Sequence, residues 1–465
     1  MKGTSLALAW SPSTGVHRAN AAECSGDRGA KPNESGRQRL CVRAILAIAA
    51  WVTFAGCLST PNSPSVADLG ASLGVAVAPE FSSPVQVNAG RVEGYEPSLR
   101  IGPDGTVYVA AARGFLAGAA GSLSSPVWFS RDNGSKWAPL PSGPMPRDQV
   151  KAFEGDLAID GRGMVYFVDT YLADNVITTW GPDQTWRRTS PLQGTTNLDD
   201  RPWLAAHGSG ILYYLGASVV DLPAPSRPTD LASASALWFY RSLDGGQTWT
   251  SGHAFTPADA CHVAADPSGD QRVLVVCAGP RESGAPSPLT AFLSMDRGTT
   301  WTRSELGVVA LPPNVFQPSF PVAAFAPTGE AYALSVDHAT PGRLHLYAHD
   351  GSTWEEVAAP VLAVHGSRAW VAAGPEGQVA AAYYGREGNE WFLHAWLRSS
   401  STANWSFWRD PTPVSSHATA PEDFFQIAFD PAGMLHIAYQ SDAARGPVPY
   451  VKPDHQPVFH VRQIK

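Results

Sequence analysis

Charged side chains are scarce in this 465-residue sequence, where Asp, Glu, Lys and Arg together make up 16% of the residues. Long solvated helices and disordered chains carry much more charge, so neither is expected to dominate the fold. The formal net charge of −8 provides no basic footprint. Nucleic acid is therefore not expected as a partner.

Several motifs that carry chemistry are also missing. The sequence has no Cys-x-x-Cys pair and no EF-hand-like spacing, so no metal site is predicted from a motif. It has no phosphate-binding glycine loop of the P-loop type. We expect no cofactor on these grounds.

Glycine, proline and tryptophan are abundant instead, at 43, 40 and 16 residues. This composition is typical of many short strands joined by tight turns and packed through aromatic rings. The length alone would allow two or three ordinary domains. Internal repeats favour one large closed domain.

An eight-residue pattern recurs three times, at 130–137, 242–249 and 294–301. The copy Ser242–Trp249 (SLDGGQTW) reads as a tight turn, because its glycines supply left-handed backbone positions and Asp244 can accept hydrogen bonds from the turn. The closing tryptophan is expected to fold back as a buried apolar plug. Weaker copies end at Trp186 and Trp354.

This pattern resembles the Asp box, S-x-D-x-G-x-x-W, of sialidases and related propellers. The resemblance implies an all-β, sialidase-like β-propeller in which each box closes the hairpin between the outer two strands of a blade. It also implies that the boxes are structural and lie away from the catalytic face. The box residues are Ser130, Asp132, Gly134, Trp137, Ser242, Asp244, Gly246, Trp249, Ser294, Asp296, Gly298 and Trp301.

A second motif, strand–turn–strand, occurs seven times between residues 96 and 439. Its turn glycines are spaced 47 to 60 residues apart, a period that suits four-stranded blades. We therefore predict seven blades, or six if one motif is atypical. The segment Pro84–Val87 is predicted to add an outer strand to the last blade and close the ring. The turn glycines are Gly105, Gly163, Gly210, Gly269, Gly329, Gly377 and Gly433.

Ligands usually enter a propeller where the innermost strands begin, around the central channel. Counting back nine to eleven residues from each turn glycine predicts carboxylates from several blades there, together with arginines. Such crowding requires a cation, an arginine or raised pKa values, so either a ligand or calcium site or simple ion pairing between blades is expected. The candidates are Tyr95, Glu96, Glu154, Asp199, Asp200, Arg201, Asp259, Arg368, Glu422 and Asp423.

The sialidase resemblance covers the scaffold and not the catalytic set. Sialidases carry an Arg-Ile-Pro in the first blade, whereas the aligned segment here is Gly94–Pro97, with Tyr95 at the arginine position. True exo-sialidase activity is therefore not expected. Binding of a glycan or protein ligand at the channel mouth is the leading hypothesis. The alternative is a glycoside hydrolase that pairs Asp200 with Glu96 or Glu154.

Residues 1–57 are interpreted as an upstream extension followed by a lipoprotein-type signal peptide. A basic stretch ends at Arg43, and the apolar run Ala44–Ala55 is too short to span a bilayer. Phe54–Cys57 resembles a bacterial lipobox, which implies lipidation of Cys57; the alternatives are an ordinary signal peptide cleaved nearby and an uncleaved anchor. Residues 58–83 read as a tether and 84–465 as the propeller. We expect an exported, membrane-anchored monomer of the bacterial cell envelope.

Two cysteines, Cys261 and Cys277, fall within the predicted propeller and are equidistant from the turn at Gly269. They would face each other across two antiparallel strands, where a disulfide is feasible. An oxidising compartment favours that disulfide over two buried thiols.

Overall fold

The computed structural model describes residues 78–88, 94–112, 125–143, 154–170, 175–192, 199–218, 236–255, 258, 260–269, 271–279, 285–311, 320–339, 342–358, 368–399, 404–416, 425–442 and 457–465. All of them belong to Pro61–Lys465, one of the two units into which the chain divides. The secondary structure of these segments is entirely strands and turns. In them no helix is long and apolar enough to cross a membrane.

The strands form seven four-stranded antiparallel sheets, each of which is one blade. Blade 1 contains β2 (Tyr95–Ile101), β3 (Val107–Ala112), β4 (Val127–Ser130) and β5 (Ala138–Pro139); blade 2 contains β6 (Glu154–Ile159), β7 (Val165–Thr170), β8 (Asn175–Trp180) and β9 (Trp186–Pro191); blade 3 contains β10 (Asp199–His207), β11 (Ile211–Ser218), β12 (Ala236–Ser242) and β13 (Thr250–Phe255); blade 4 contains β14 (Ala260–Ala265), β15 (Val273–Ala278), β16 (Ser287–Ser294) and β17 (Thr302–Val309).

The remaining blades follow the same order except for the last. Blade 5 contains β18 (Val322–Phe325), β19 (Ala331–Asp337), β20 (Arg343–His349) and β21 (Trp354–Val357); blade 6 contains β22 (Ala369–Ala373), β23 (Val379–Glu387), β24 (Glu390–Arg398) and β25 (Trp405–Arg409); blade 7 contains β26 (Gln426–Phe429), β27 (Leu435–Gln440), β28 (Val458–Arg462) and β1 (Val85–Gln86).

The first strands of successive blades pack against one another around the whole ring, and β26 packs against β2. These strands therefore line the centre, and the molecule is a seven-bladed propeller, as predicted. Each of the seven turn glycines has a positive φ, between +77° and +108°. Glycine takes this backbone conformation without the steric cost that a Cβ would add.

The ring closes between the two ends of the propeller sequence. Val85 and Gln86 of β1 pair antiparallel with His460 and Phe459 of β28. The outer strand predicted from Pro84–Val87 is thus confirmed, and it completes the fourth place of blade 7. Without β1, β28 would be the unpaired outer strand of blade 7.

The box turns 130–137, 242–249 and 294–301 each join the third and fourth strands of a blade. In each box the serine hydroxyl donates to the aspartate at 2.8 Å. The same hydroxyl accepts, at 2.8 Å, from the backbone N–H of the glycine at the fifth position of the box. The backbone N–H of Thr300 leads a set of donors that lower the pKa of Asp296 to about 2. The closing tryptophans are half-buried rather than buried, since each packs on the blade with only part of its ring.

Cys261 and Cys277 pair directly across β14 and β15 and are joined by a disulfide. Their Cα atoms are 4.1 Å apart, and both side chains are buried. The bond therefore fixes the register of the two inner strands of blade 4.

Candidate functional site

The inner strands all begin at the same end of the ring, which we call the mouth. In every sheet the first three strands run outward in chain order from the inner strand, so the glycine turns and the box turns lie at the opposite end. The residues predicted to contact a ligand fall at or just before the starts of these inner strands.

A β-bulge opens the inner strand of blade 1. The register of β2 shifts between Tyr95 and Ser98, so Glu96 and Pro97 together face one position of β3. A bulge re-aims side chains and often occurs beside functional sites. Pro97 has no N–H to contribute to a ladder, so its sequence position suits this irregularity.

Blade 3 has the same shift, between Asp200 and Trp203, whereas blade 2 pairs regularly from Glu154. Counting back a fixed number of residues is therefore wrong for blades 1 and 3, because each bulge adds one residue. Strand pairing instead places Tyr95, Glu154 and Asp200 in a single row. Each of the three pairs with the residue seven positions beyond its blade's turn glycine.

Glu96 lies within the first bulge with a φ of +47° and only 3% of its surface exposed. A non-glycine residue in the left-handed region is strained, and such residues concentrate at functional sites. Glu154 and Arg368 are also buried, at 2% and 8% exposure. The three charged side chains that the structure describes at the mouth are therefore buried in its wall.

The structure leaves part of the predicted set undescribed. For the first group the backbone is described but the side chain is not, and the second group lies outside the described residues. The first group is Tyr95, Asp199, Asp200 and Arg201; the second is Asp259, Glu422 and Asp423.

Below the mouth, each inner strand places one residue in a ring around the channel, seven positions before its turn glycine. We call these residues the inner ring. Its blade 1, 2 and 7 members are polar, and its blade 3, 4 and 6 members are aromatic or histidine. The inner ring is Ser98, Asp156, Trp203, His262, Val322, Trp370 and Gln426.

Asp156 is the centre of the polar half and is 1% exposed. Its carboxylate accepts from the Ser98 hydroxyl at 2.7 Å, the Leu204 backbone N–H at 2.9 Å and the Gln426 amide at 3.0 Å. It also forms an ion pair with Arg100 at 3.2 Å. Asp156 therefore connects blades 1, 2, 3 and 7, and its acceptor capacity is used by these donors.

The inner ring solves a problem that the fold creates. The channel side of each inner strand has no neighbouring strand, so its N–H groups require another acceptor. At four of the seven blade junctions the N–H just after the ring position donates to the ring side chain of the preceding blade. These bonds are Leu99 to Gln426 (2.8 Å), Leu157 to Ser98 (2.9 Å), Leu204 to Asp156 (2.9 Å) and Ala323 to His262 (3.1 Å).

The aromatic half closes the channel. The His262 ring lies 5.0 Å from both Trp203 and Trp370, and the two indoles lie 5.7 Å apart. Burial, aided by the charge of Arg100, lowers the pKa of His262 to about 3. Since Nδ1 of the neutral imidazole accepts from Ala323, the proton is on Nε2.

This arrangement limits the chemistry that the centre can perform. Trp203 and Trp370 are 1% and 4% exposed, so neither offers a free face to a sugar. Asp156 is saturated with donors and cannot act as a general acid or base without losing them. The inner ring therefore forms a buried, hydrogen-bonded floor across the channel below the mouth.

No group of three or more His, Cys, Asp and Glu side chains is arranged to hold a metal ion within the described ranges. The sequence contains one His-x-x-x-His spacing, His345 and His349. It falls on β20, where residues four apart are separated by roughly 13 Å, too far for one ion. Of the mouth carboxylates considered for calcium, Asp259, Glu422 and Asp423 lie outside the described residues.

No family model and no curated protein sequence matches this chain. Solved structures do match in fold. An oligogalacturonate lyase in complex with manganese superposes with a TM-score of 0.50 at 11% identity, covering 84% of this chain and 99% of the lyase.

Two glycoside-active proteins are also similar. The GH74 enzyme of Niastella koreensis has a TM-score of 0.47 at 16% identity, covering 76% of this chain and 52% of the enzyme. The intramolecular trans-sialidase of Ruminococcus gnavus has a TM-score of 0.40 at 14% identity, covering 80% and 96%. Structural neighbours thus include sialidase-like, glycoside hydrolase and lyase propellers. At these identities the similarity defines the class as a β-propeller and leaves the activity to the site itself.

Proposed function

We propose that this propeller binds a glycan at its mouth. The observation that carries the proposal is Glu96, which is held buried in a left-handed conformation within a bulge at the rim. Strain of this kind persists only where surrounding contacts enforce it. The buried inner ring, with Asp156 and His262 below the rim, would form the floor of this site under a ligand at the mouth.

The floor favours binding over turnover. A glycosidase needs two carboxyl groups that can exchange protons beside the scissile bond. Asp156 has no free acceptor for that role, and the Arg-Ile-Pro of the sialidases is absent. A bound sugar would therefore meet hydrogen-bonding groups in fixed positions without a described acid–base pair.

One observation supports hydrolysis as a second candidate. Tyr95, Glu154 and Asp200 occupy the same row at the starts of three adjacent inner strands. A row of this composition could supply an acid and a base to one substrate. Glu154 paired with Asp200 is the set that such an enzyme would use.

For cellular location, the proposal is an exported lipoprotein tethered to the bacterial envelope through Cys57. It is supported by the basic stretch, the short apolar run and the lipobox-like Phe54–Cys57 in the sequence. A surface tether would present the mouth to polysaccharide or to a glycosylated cell-surface protein. The propeller would act as a monomer.

The test is a glycan array with the purified domain from residue 65, followed by titration calorimetry of any hit. A panel of aryl glycosides, including a sialoside, is assayed in parallel. Binding that weakens at least tenfold in Glu96→Gln, without turnover of the panel, supports the proposal. Turnover that disappears in Asp200→Asn would replace it with the hydrolase, and a folded protein silent in both assays would contradict it.

A further inference from the structure

Gln440 stands at the end of β27 in blade 7 and is fully buried. Its side chain crosses the junction where the ring closes and reaches the rim of blade 1. The amide nitrogen donates to the Gly94 carbonyl at 3.0 Å, and the amide oxygen accepts from the Glu96 N–H at 3.4 Å. The Gln440 side chain therefore hydrogen-bonds to the backbone on both sides of Tyr95.

These two bonds act where the backbone needs them. Between Tyr95 and Ser98 the bulge interrupts the regular ladder to β3, so the strand itself does not fix this segment. Glu96 has a φ of +47°, so its backbone would lose steric strain by relaxing to a right-handed or extended conformation. The amide bonds oppose that relaxation.

Gln440 is itself fixed by blade 6. Its backbone N–H donates to the Tyr384 hydroxyl at 3.4 Å, and that hydroxyl lies 3.5 Å from the Gln440 carbonyl, to which it donates. Tyr384 is fully buried and packs on Phe425 at 4.7 Å between ring centroids. The contacts thus run from blade 6 through blade 7 to the rim of blade 1.

We infer that Gln440 is the positioning residue of the binding site: its amide fixes the backbone at Tyr95 and Glu96 and so sets the shape of the rim around the ligand. This inference rests on the proposed function for the identity of the ligand, but the holding itself can be measured without one. It also makes the site depend on ring closure, since Gln440 and Glu96 belong to opposite ends of the propeller sequence.

A matched residue lies at the same junction. Gln426 of β26 accepts from the Leu99 N–H at 2.8 Å, on the regular part of the same strand β2. Gln440→Met and Gln426→Met therefore each remove one glutamine of blade 7 that hydrogen-bonds to β2 of blade 1. The two N–H groups of β2, at Glu96 and Leu99, report on them separately.

The experiment is residue-resolved amide hydrogen exchange on the wild type and the two variants. In Gln440→Met the Glu96 amide is expected to exchange at least about tenfold faster, while the Leu99 amide is unchanged, because losing one hydrogen bond is equivalent to about a tenfold change in a local opening equilibrium. Gln426→Met should show the reverse. Equal acceleration of both amides in Gln440→Met, or none at Glu96, would overturn the inference.

Gln440→Asn provides the test if Gln440→Met does not fold, since it keeps an amide but shortens its reach by one methylene. The same pattern of exchange is expected. Where the array identifies a glycan, its Kd should rise at least about tenfold in Gln440→Met and in Gln440→Asn, while the melting temperature of the protein is retained. If no glycan binds the wild type, the proposed function fails while the exchange data still decide the role of Gln440.

Discussion

Arg100 and Asp156 form an ion pair across the junction of blades 1 and 2, with 3.2 Å between Nη2 and Oδ2. The carboxylate is almost fully buried, and the guanidinium keeps a quarter of its side chain exposed. Because three further donors point at the same carboxylate, the pair is the centre of the floor and not an isolated contact.

Removing that carboxylate should strongly destabilise the ring. In Asp156→Ala the Arg100 charge loses its carboxylate partner and the Leu204 N–H loses its acceptor, so the free energy of unfolding should fall by about 3 kcal/mol. Urea denaturation followed by tryptophan fluorescence measures this. The control is Glu305→Ala, since the Arg303–Glu305 pair at 3.1 Å is exposed and should contribute little. Equal effects of the two variants would show that Asp156 is not central.

Acid should destabilise the propeller through His262. The unfolded histidine has a pKa near 6.5, and burial lowers the folded pKa to about 3. Between these pH values the unfolded chain binds a proton that the folded chain does not, so stability present above pH 6.5 is lost as the pH falls toward 3. The slope attributable to one such group is about 1.4 kcal/mol per pH unit.

The variant that checks this slope is His262→Gln, whose amide oxygen can still accept from Ala323. Its free energy of unfolding, measured in urea from pH 7 to pH 4, should fall less steeply than that of the wild type by about one proton. His436, His460 and His394 also have pKa values lowered by burial and should give the variant a residual slope. An unaltered slope would mean that His262 is not buried as a neutral imidazole.

The Cys261–Cys277 bond should contribute measurably to stability. It closes a loop of 16 residues, for which the chain-entropy model gives about 3 kcal/mol. Reduction with dithiothreitol should lower the urea midpoint of the wild type and leave that of Cys261→Ala/Cys277→Ala unchanged. A wild-type midpoint that does not respond to the reductant, with two free thiols titrated on unfolding without reductant, would contradict the disulfide.

Lipidation is tested in the bacterial host. The full-length chain should incorporate labelled palmitate and partition into detergent, and Cys57→Ser should lose both properties because the acceptor thiol is gone. Cys41→Ser lies in the segment predicted to be removed and serves as the control. Label that persists in Cys57→Ser would show that the lipobox interpretation is wrong.

The scaffold was readable from the sequence because its signals are local. A turn glycine such as Gly105 marks each inner hairpin, and a box such as Ser242–Trp249 marks an outer one, so seven blades follow from counting. The closing strand was also predicted, from Pro84–Val87, and the structure places β1 in blade 7 beside β28.

The site was harder to read because it depends on contacts between blades. A bulge such as the one at Glu96 and Pro97 moves the register by one residue, and no fixed count detects it. The inner ring was missed, although a signal existed: Asp156 is an acid directly before the apolar Leu157–Ile159 in a buried strand. The hydrogen bond between Gln440 and Glu96 joins residues that are 344 positions apart, so no local sequence pattern predicts it.

Ring closure gives the last prediction, at Gly134. This box glycine of blade 1 has a φ of +85°, and a Cβ built on it would fall within the imidazole of His460 on β28. His460 in turn lies 2.9 Å from His436, whose other ring nitrogen lies 3.3 Å from Asp430. The added methyl group of Gly134→Ala should therefore clash with the buried His460, which its hydrogen bond to His436 holds in place.

A matched glycine isolates this contact from backbone strain. Gly269 has a φ of +78°, and nothing lies within 4 Å of a Cβ built there. Both alanine variants incur the left-handed penalty of about 1 kcal/mol, but Gly134→Ala should lose about 2 kcal/mol more through overpacking. Urea denaturation gives the difference, and exchange at the backbone amide of Val87 in the closing segment should accelerate only in Gly134→Ala. Because β1 is held by β28, equal losses in the two variants would mean that the contact with His460 does not secure the closed ring.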